Sequence, residues 1–144
     1  MNLPPHVQIV QMATGYWVSR ILYAAARLGL SDHLAGRAQS AAELAGATGT
    51  HAPSLHRLMR TLASLGLLTE REGRRFALTP LGEALQTGAP GSARATVLTL
   101  AGHLGWRSWE EIMYSLETGK TGFQKAFGVP AFDYLAQHPE EAPL

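Results

Sequence analysis

The spacing of hydrophobic and polar positions changes most informatively between Ser40 and Leu78. Ser40 with Glu43 three residues on is a capping-box helix start, and Gly46 and Gly49 are expected to break that short helix. A second helix begins near Pro53, a residue suited to a first turn. Its Leu55, Leu58, Met59, Leu62 and Leu65 share one face, while His56, Arg57, Arg60, Thr61 and Ser64 occupy the opposite arc. Gly66 follows as the residue that ends it. Residues 67–71 and 75–78 then read as two strands around a Glu72-Gly73 turn. Helix, turn, helix and β-wing form a winged-helix module, placed over residues 37–90. That plan serves either to read DNA or to pack inside something larger, and fold alone does not choose.

Residues 4–28 predict one long helix closed by Gly29. Val7, Val10, Thr14, Trp17, Ile21, Ala25 and Leu28 make one apolar stripe, and Ile9, Met12, Ala13, Tyr16 and Tyr23 a second side. A helix apolar on two sides needs two partners. It is either the central helix of a monomer or the joint between two copies, and the N-terminal helix of a small domain seldom has enough chain around it to be covered on both sides. The stripe residues Val10, Trp17 and Ile21 are therefore expected at a homodimer interface, with residues 1–36 as the dimerising segment. After the wing, Thr79-Pro80 caps a short helix closed by Gly88, and 89–91 form a break. Residues 91–144 predict further helices: 92–104, an interruption at Gly105, then 106–116 with Trp109, Ile112, Met113 and Leu116 on one face, where Trp109 reads as core. Pro130 opens another. The expected fold is mainly α with one hairpin.

Composition narrows what such a fold does. Only 16% of the 144 residues are charged and the net charge is +1, which argues against a nucleic-acid partner. The absence of Cys removes disulfides and thiol chemistry and fits a cytoplasmic protein. The N-terminus lacks the pattern of a signal peptide, and Arg20 and Arg27 interrupt the longest apolar segment, so no membrane span is expected. No metal site is expected, since His51 and His56 are five residues apart and do not share a helix face. There is no G-x-S-x-G elbow and no strand-to-helix phosphate loop.

Two constellations remain. As a DNA reader, the second winged-helix helix would set Arg60 and Ser64 on base edges and Arg71, Arg74 and Arg75 on phosphate; the missing basic excess favours a solvated face. The other is the aromatic and Met cluster of Leu100, His103, Leu104, Trp106, Trp109, Met113, Phe123 and Phe127. It reads as a wall for a flat aromatic ligand with His103 at its edge, or as the core of the last helices; periodicity favours core.

The order HRLMRTLASLGLL, wing, FALTPLGEAL, W-x-x-W-x-x-x-x-x-S-L-x-T-G and GFQKAFGVPAFDYLAQHPEE resembles the N-terminal region of S-adenosylmethionine-dependent small-molecule O-methyltransferases of the plant and actinobacterial natural-product type. The similarity covers essentially the whole chain. It implies a dimerisation and winged-helix domain that does not bind DNA, with a first helix that intertwines with its mate. Met12 and Tyr16 would reach the partner's active site, and Leu100, His103, Leu104 and Trp106, joined by Phe123 and Phe127, would wall the acceptor pocket. In the family a Rossmann-like domain follows, carrying the cofactor loop and the general-base histidine. This chain stops at Leu144, and none of its six His matches that base. The expectation is half an enzyme: no catalytic residue, no cofactor site for S-adenosylmethionine, and a homodimer that takes a small aromatic or polyketide-like molecule. The alternatives are a stand-alone relative that binds an aromatic metabolite without the cofactor, and a winged-helix transcriptional regulator.

Overall fold

The amphipathic helix α5 (Ala52–Ser64) is what the first part of the chain wraps around, because its Leu55, Met59 and Leu62 face has nowhere to go but inward. The computed structural model describes residues 3–142 and divides the chain into two units, one ending at Ser92 and the other beginning at Ala93. In the first, α1 (Pro5–Ala13), α2 (Tyr16–Leu28) and α3 (Leu30–His33) lead into β1 (Gln39–Ser40), α4 (Ala41–Thr48) and α5. The wing follows as β2 (Leu68–Arg71) and β3 (Arg75–Leu78), then α6 (Pro80–Glu83). Helix α5 packs on α2, α4 and β2, burying Ala25, Ala26, Leu30, Leu34, Leu44, Leu67, Leu68 and Phe76 around Met59. Phe76 and Met59 are wholly inaccessible to solvent, so this is the unit's centre.

Ser40 caps α4 as its sequence predicts: its hydroxyl accepts from the Glu43 amide at 3.2 Å while Glu43 Oε2 accepts from the Ser40 amide at 2.7 Å. The wing is not a plain hairpin but a three-stranded antiparallel sheet in the order β1-β3-β2. Gln39 and Ser40 pair with Phe76 and Arg75, a third strand too short for the alternation of side chains to announce. The wing turn takes three residues, Glu72–Arg74, with Gly73 at φ 71° and Arg74 at φ 57°.

Several expected boundaries move, each for a local reason. The helix over 4–28 is two helices. Thr14 donates its hydroxyl to the Val10 carbonyl at 2.9 Å, and the Gly15 amide reaches back only three residues, to Met12, so the four-residue ladder lapses for a turn. Gly46 does not break α4, which runs on to Thr48 and ends at Gly49 in the left-handed conformation. Gly82 has a different task. A Cβ there would fall on the Leu67 carbonyl, and its own carbonyl accepts the buried Ser31 hydroxyl at 2.8 Å, so α6 lies directly on the backbone ahead of β2.

The second unit comprises α7 (Arg94–Leu100), α8 (His103–Glu110), α9 (Ile112–Thr118), α10 (Gly122–Phe127), α11 (Ala131–Gln137) and a 3-10 turn over Pro139–Glu141. Gly105 does not interrupt a helix, as its position suggested; it lies inside α8, where a Cβ would strike the Leu100 carbonyl. The breaks fall instead at Ala101-Gly102 and at Glu111. Gly122 likewise lets α10 approach α8, a Cβ there meeting the Ser108 carbonyl oxygen at 2.6 Å. Leu104 is the one buried hydrophobic side chain of this unit among the described residues.

Candidate functional site

The first candidate surface is the outer face of α1 and the start of α2. Ala25 and Ala26 take the C-terminal half of α2 into the core, leaving its N-terminal half with no such neighbour. Val10, Met12, Tyr16, Trp17 and Val18 are consequently exposed, Met12 by 77% and Trp17 by 57%. Tyr16 and Trp17 meet edge to face at 6.2 Å. Ile21, expected beside Trp17, is half-buried. The spacing thus separates into a core end and a bare end, and the bare end spans a continuous run of large apolar side chains.

The second is an aromatic array in the last helices. His103 on α8 and Phe127 on α10 meet at 5.3 Å, Phe127 and Phe123 at 4.6 Å, and both phenylalanines reach Tyr134 on α11, at 5.0 and 5.6 Å. The Arg107 guanidinium lies 5.3 Å from the Phe127 ring centre, a cation over an aromatic face. Of the expected acceptor residues, the structure joins His103, Phe123 and Phe127 ring to ring. Leu104 is buried, Trp106 half-buried, and Leu100 is 68% exposed at the end of α7.

Sequence reasoning did not select Tyr134 and His138, whose rings stack at 4.1 Å and 18°. Their separation of four residues at the end of a helix is the signal that could have found them. The Tyr134 hydroxyl donates to Glu141 at 3.1 Å; burial first, and that carboxylate next, raise the phenol above its ordinary range. Trp109, Ile112, Met113 and Leu116 do share a face, but not a core: Trp109 is 70% and Leu116 73% exposed.

The basic face is partly used up internally. Arg75 binds Glu43 through two hydrogen bonds, at 2.6 and 3.2 Å, and the carboxyl is held at about 2 by Arg75 first and the Ser40 amide second. The His56 ring packs 5.6 Å from Phe76, and Thr61 and Ser64 return their hydroxyl protons to carbonyls of their own helix. That arrangement suits a packing module better than a reader of base edges. Two clefts of about 440 and 310 Å³ in the first unit contain none of the expected substrate residues. Among the described residues no His, Asp or Glu cluster could hold a metal, and no helix is long and apolar enough to cross a membrane.

Known proteins match this arrangement over most of its length. The chain is 44% identical over 132 residues to a phenazine O-methyltransferase, PhzM, of Lysobacter antibioticus, covering 92% of this chain and 38% of that protein. The crystal structure of LaPhzM superimposes with a TM-score of 0.91 at 42% identity, over 96% of this chain and 42% of that one. A more distant structure is NcsB1, an O-methyltransferase from neocarzinostatin biosynthesis solved with S-adenosyl-L-homocysteine and 1,4-dihydroxy-2-naphthoic acid. It matches with a TM-score of 0.71 at 29% identity, over 86% of this chain and 38% of its own. The chain therefore spans well under half the length of these relatives. The family profile described as the O-methyltransferase dimerisation domain matches residues 10–88, from the bare face of α1 to the end of the winged helix, and the chain belongs to that family.

Proposed function

We propose that this chain is the dimerising and acceptor-binding part of an S-adenosylmethionine-dependent small-molecule O-methyltransferase, and that it does not carry out methyl transfer by itself. The observation that carries the reading is the exposed run Val10, Met12, Tyr16, Trp17 and Val18, a surface that water disfavours and that a second copy would cover. Val10, Trp17 and Ile21 are its proposed contacts in a homodimer. The aromatic array around Phe127 supports an acceptor wall formed by Leu100, His103, Leu104, Trp106, Phe123 and Phe127, with Met12 and Tyr16 reaching it from the mate. Flat rings stack on such walls, and both named relatives and the naphthoic acid bound to NcsB1 point to aromatic acceptors. S-adenosylmethionine belongs, on this reading, to the larger share of the relatives' length that this chain does not match. The setting is cytoplasmic.

Light scattering tests the reading. The expected molar mass is twice 15.5 kDa, and replacing Trp17 and Ile21 together by Glu should weaken association by ~100-fold or more while the circular dichroism spectrum keeps its helical shape. A folded variant of unchanged dimeric mass would place the interface elsewhere.

A further inference from the structure

The edge of the aromatic array is rich in nitrogen. His103 and Arg107 stand one turn apart on α8, and each meets the Phe127 ring of α10 at 5.3 Å. Both are exposed, whereas Phe123 and Phe127 are half-buried, so the rings form a floor with two nitrogen-bearing side chains along one side. Among the described residues Arg107 pairs with no carboxylate and donates no hydrogen bond; its contact is the ring. A cation on an aromatic face is held through its charge, which leaves the N–H donors of the guanidinium available. Glu141 also reaches the array, but its carboxylate accepts from the Tyr134 hydroxyl at 3.1 Å.

We infer that the array takes aryl carboxylic acids, the rings of the ligand lying on Phe123 and Phe127 and its carboxylate accepting from the Arg107 guanidinium, with the His103 ring beside it. The inference rests on the acceptor wall proposed above and names the class of molecule that wall selects. An aryl carboxylate is flat and carries its acid group in the plane of its rings, so a molecule lying on the floor delivers two oxygens to the edge. A guanidinium presents a planar fork that fits those two oxygens, which an ammonium group does not. Beside half-buried rings the charge pair is screened less than in open water, and its hydrogen bonds strengthen accordingly. A neutral phenol would gain nothing from Arg107, and a cationic ring system would be repelled by it. The other cation of this unit that rests on a ring, Lys125, lies 5.5 Å over Tyr114, which is not part of the array.

Titration calorimetry of the chain at pH 7 with 1,4-dihydroxy-2-naphthoic acid and with its methyl ester tests this, because the two probes share their rings and differ in charge. The acid should bind about tenfold tighter than the ester or better. Arg107→Gln should abolish that preference by weakening the acid alone, and Lys125→Gln, which removes the same charge elsewhere, should keep it. Equal affinity of the unaltered chain for both probes would overturn the inference and leave the aromatic acceptor reading standing. An Arg107→Gln chain that loses both probes alike would reduce Arg107 to packing on Phe127, and a Lys125→Gln chain that loses the preference would reduce it to general charge; either result overturns the assignment. Binding of neither probe would remove the acceptor reading and the inference with it.

Discussion

Arg75 on the wing and Glu43 in the first turn of α4 lie thirty-two residues apart in sequence and share two hydrogen bonds, the shorter of 2.6 Å. The same carboxylate caps the Ser40 amide, so one side chain joins the start of a helix to the last strand of the sheet. Because Ser40 also pairs with Arg75 in the β1–β3 ladder, backbone and side chain fix the same junction.

That junction has a pH signature. Glu43 titrates at about 2 in the folded chain and at about 4.3 in an unfolded one, so folding favours its charged form. The stabilisation is complete above the unfolded value and is lost as pH falls towards 2. Thermal unfolding of the protein and of Glu43→Ala should show a gap in Tm at pH 7 that narrows steadily between about pH 5 and pH 2. A gap constant across that range would mean the carboxylate's charge is not what holds the junction. High salt should shrink the gap at pH 7, since both side chains are partly exposed.

Two glycines should respond oppositely to alanine. Gly46 sits inside α4 with nothing within 4 Å of a built Cβ, so Gly46→Ala should stabilise the protein by about 0.5–1 kcal/mol through helix propensity. At Gly82 the same change sets a methyl group on the Leu67 carbonyl, and a loss of about 3 kcal/mol or more is expected. Urea denaturation followed by far-ultraviolet circular dichroism reads both. Equal effects would contradict the close approach of α6 to the backbone at Leu67.

The centre of the first unit is testable by truncation. Met59 is fully enclosed, and Met59→Ala should cost about 2–5 kcal/mol. His56→Ala removes an edge-to-face contact with Phe76 from a half-buried position and should cost about 1 kcal/mol. If His56 instead contributed to a nucleic-acid surface, its replacement would alter duplex binding and leave stability unchanged.

In the aromatic array, Phe127 touches the rings of His103, Phe123 and Tyr134 and carries the Arg107 guanidinium near its face. On the acceptor role proposed for the array, Phe127→Ala should weaken binding of an aromatic acid such as 1,4-dihydroxy-2-naphthoic acid by about tenfold or more, measured by tryptophan fluorescence. Phe132→Ala, on the exposed side of α11, should leave it unchanged. Equal affinity in both variants would separate the array from the acceptor.

How much of this was legible in the sequence depended on whether a residue's role is local. The Ser40–Glu43 cap, the apolar face of α5 and the Thr79 cap on α6 are decided within a few residues, and all three stand where their spacing put them. The glycines were harder. Gly46, Gly82 and Gly105 look alike in sequence, yet one is a spectator inside a helix and two are needed because another segment's carbonyl comes close. That neighbour is far away in the chain or across a break, where periodicity carries no information. The same holds for β1, whose two residues are strand only because β3 lies beside them. Trp109 shows the opposite error, since apolar spacing reports that a face will be covered without saying by whom.

The scarcity of interior in the second unit, with Leu104 its one buried hydrophobic side chain among the described residues, sets how its helices open. Helices held by so little buried apolar surface open a few at a time rather than with the whole chain. Amide protons of α8 to α11 should therefore exchange well before those around Met59.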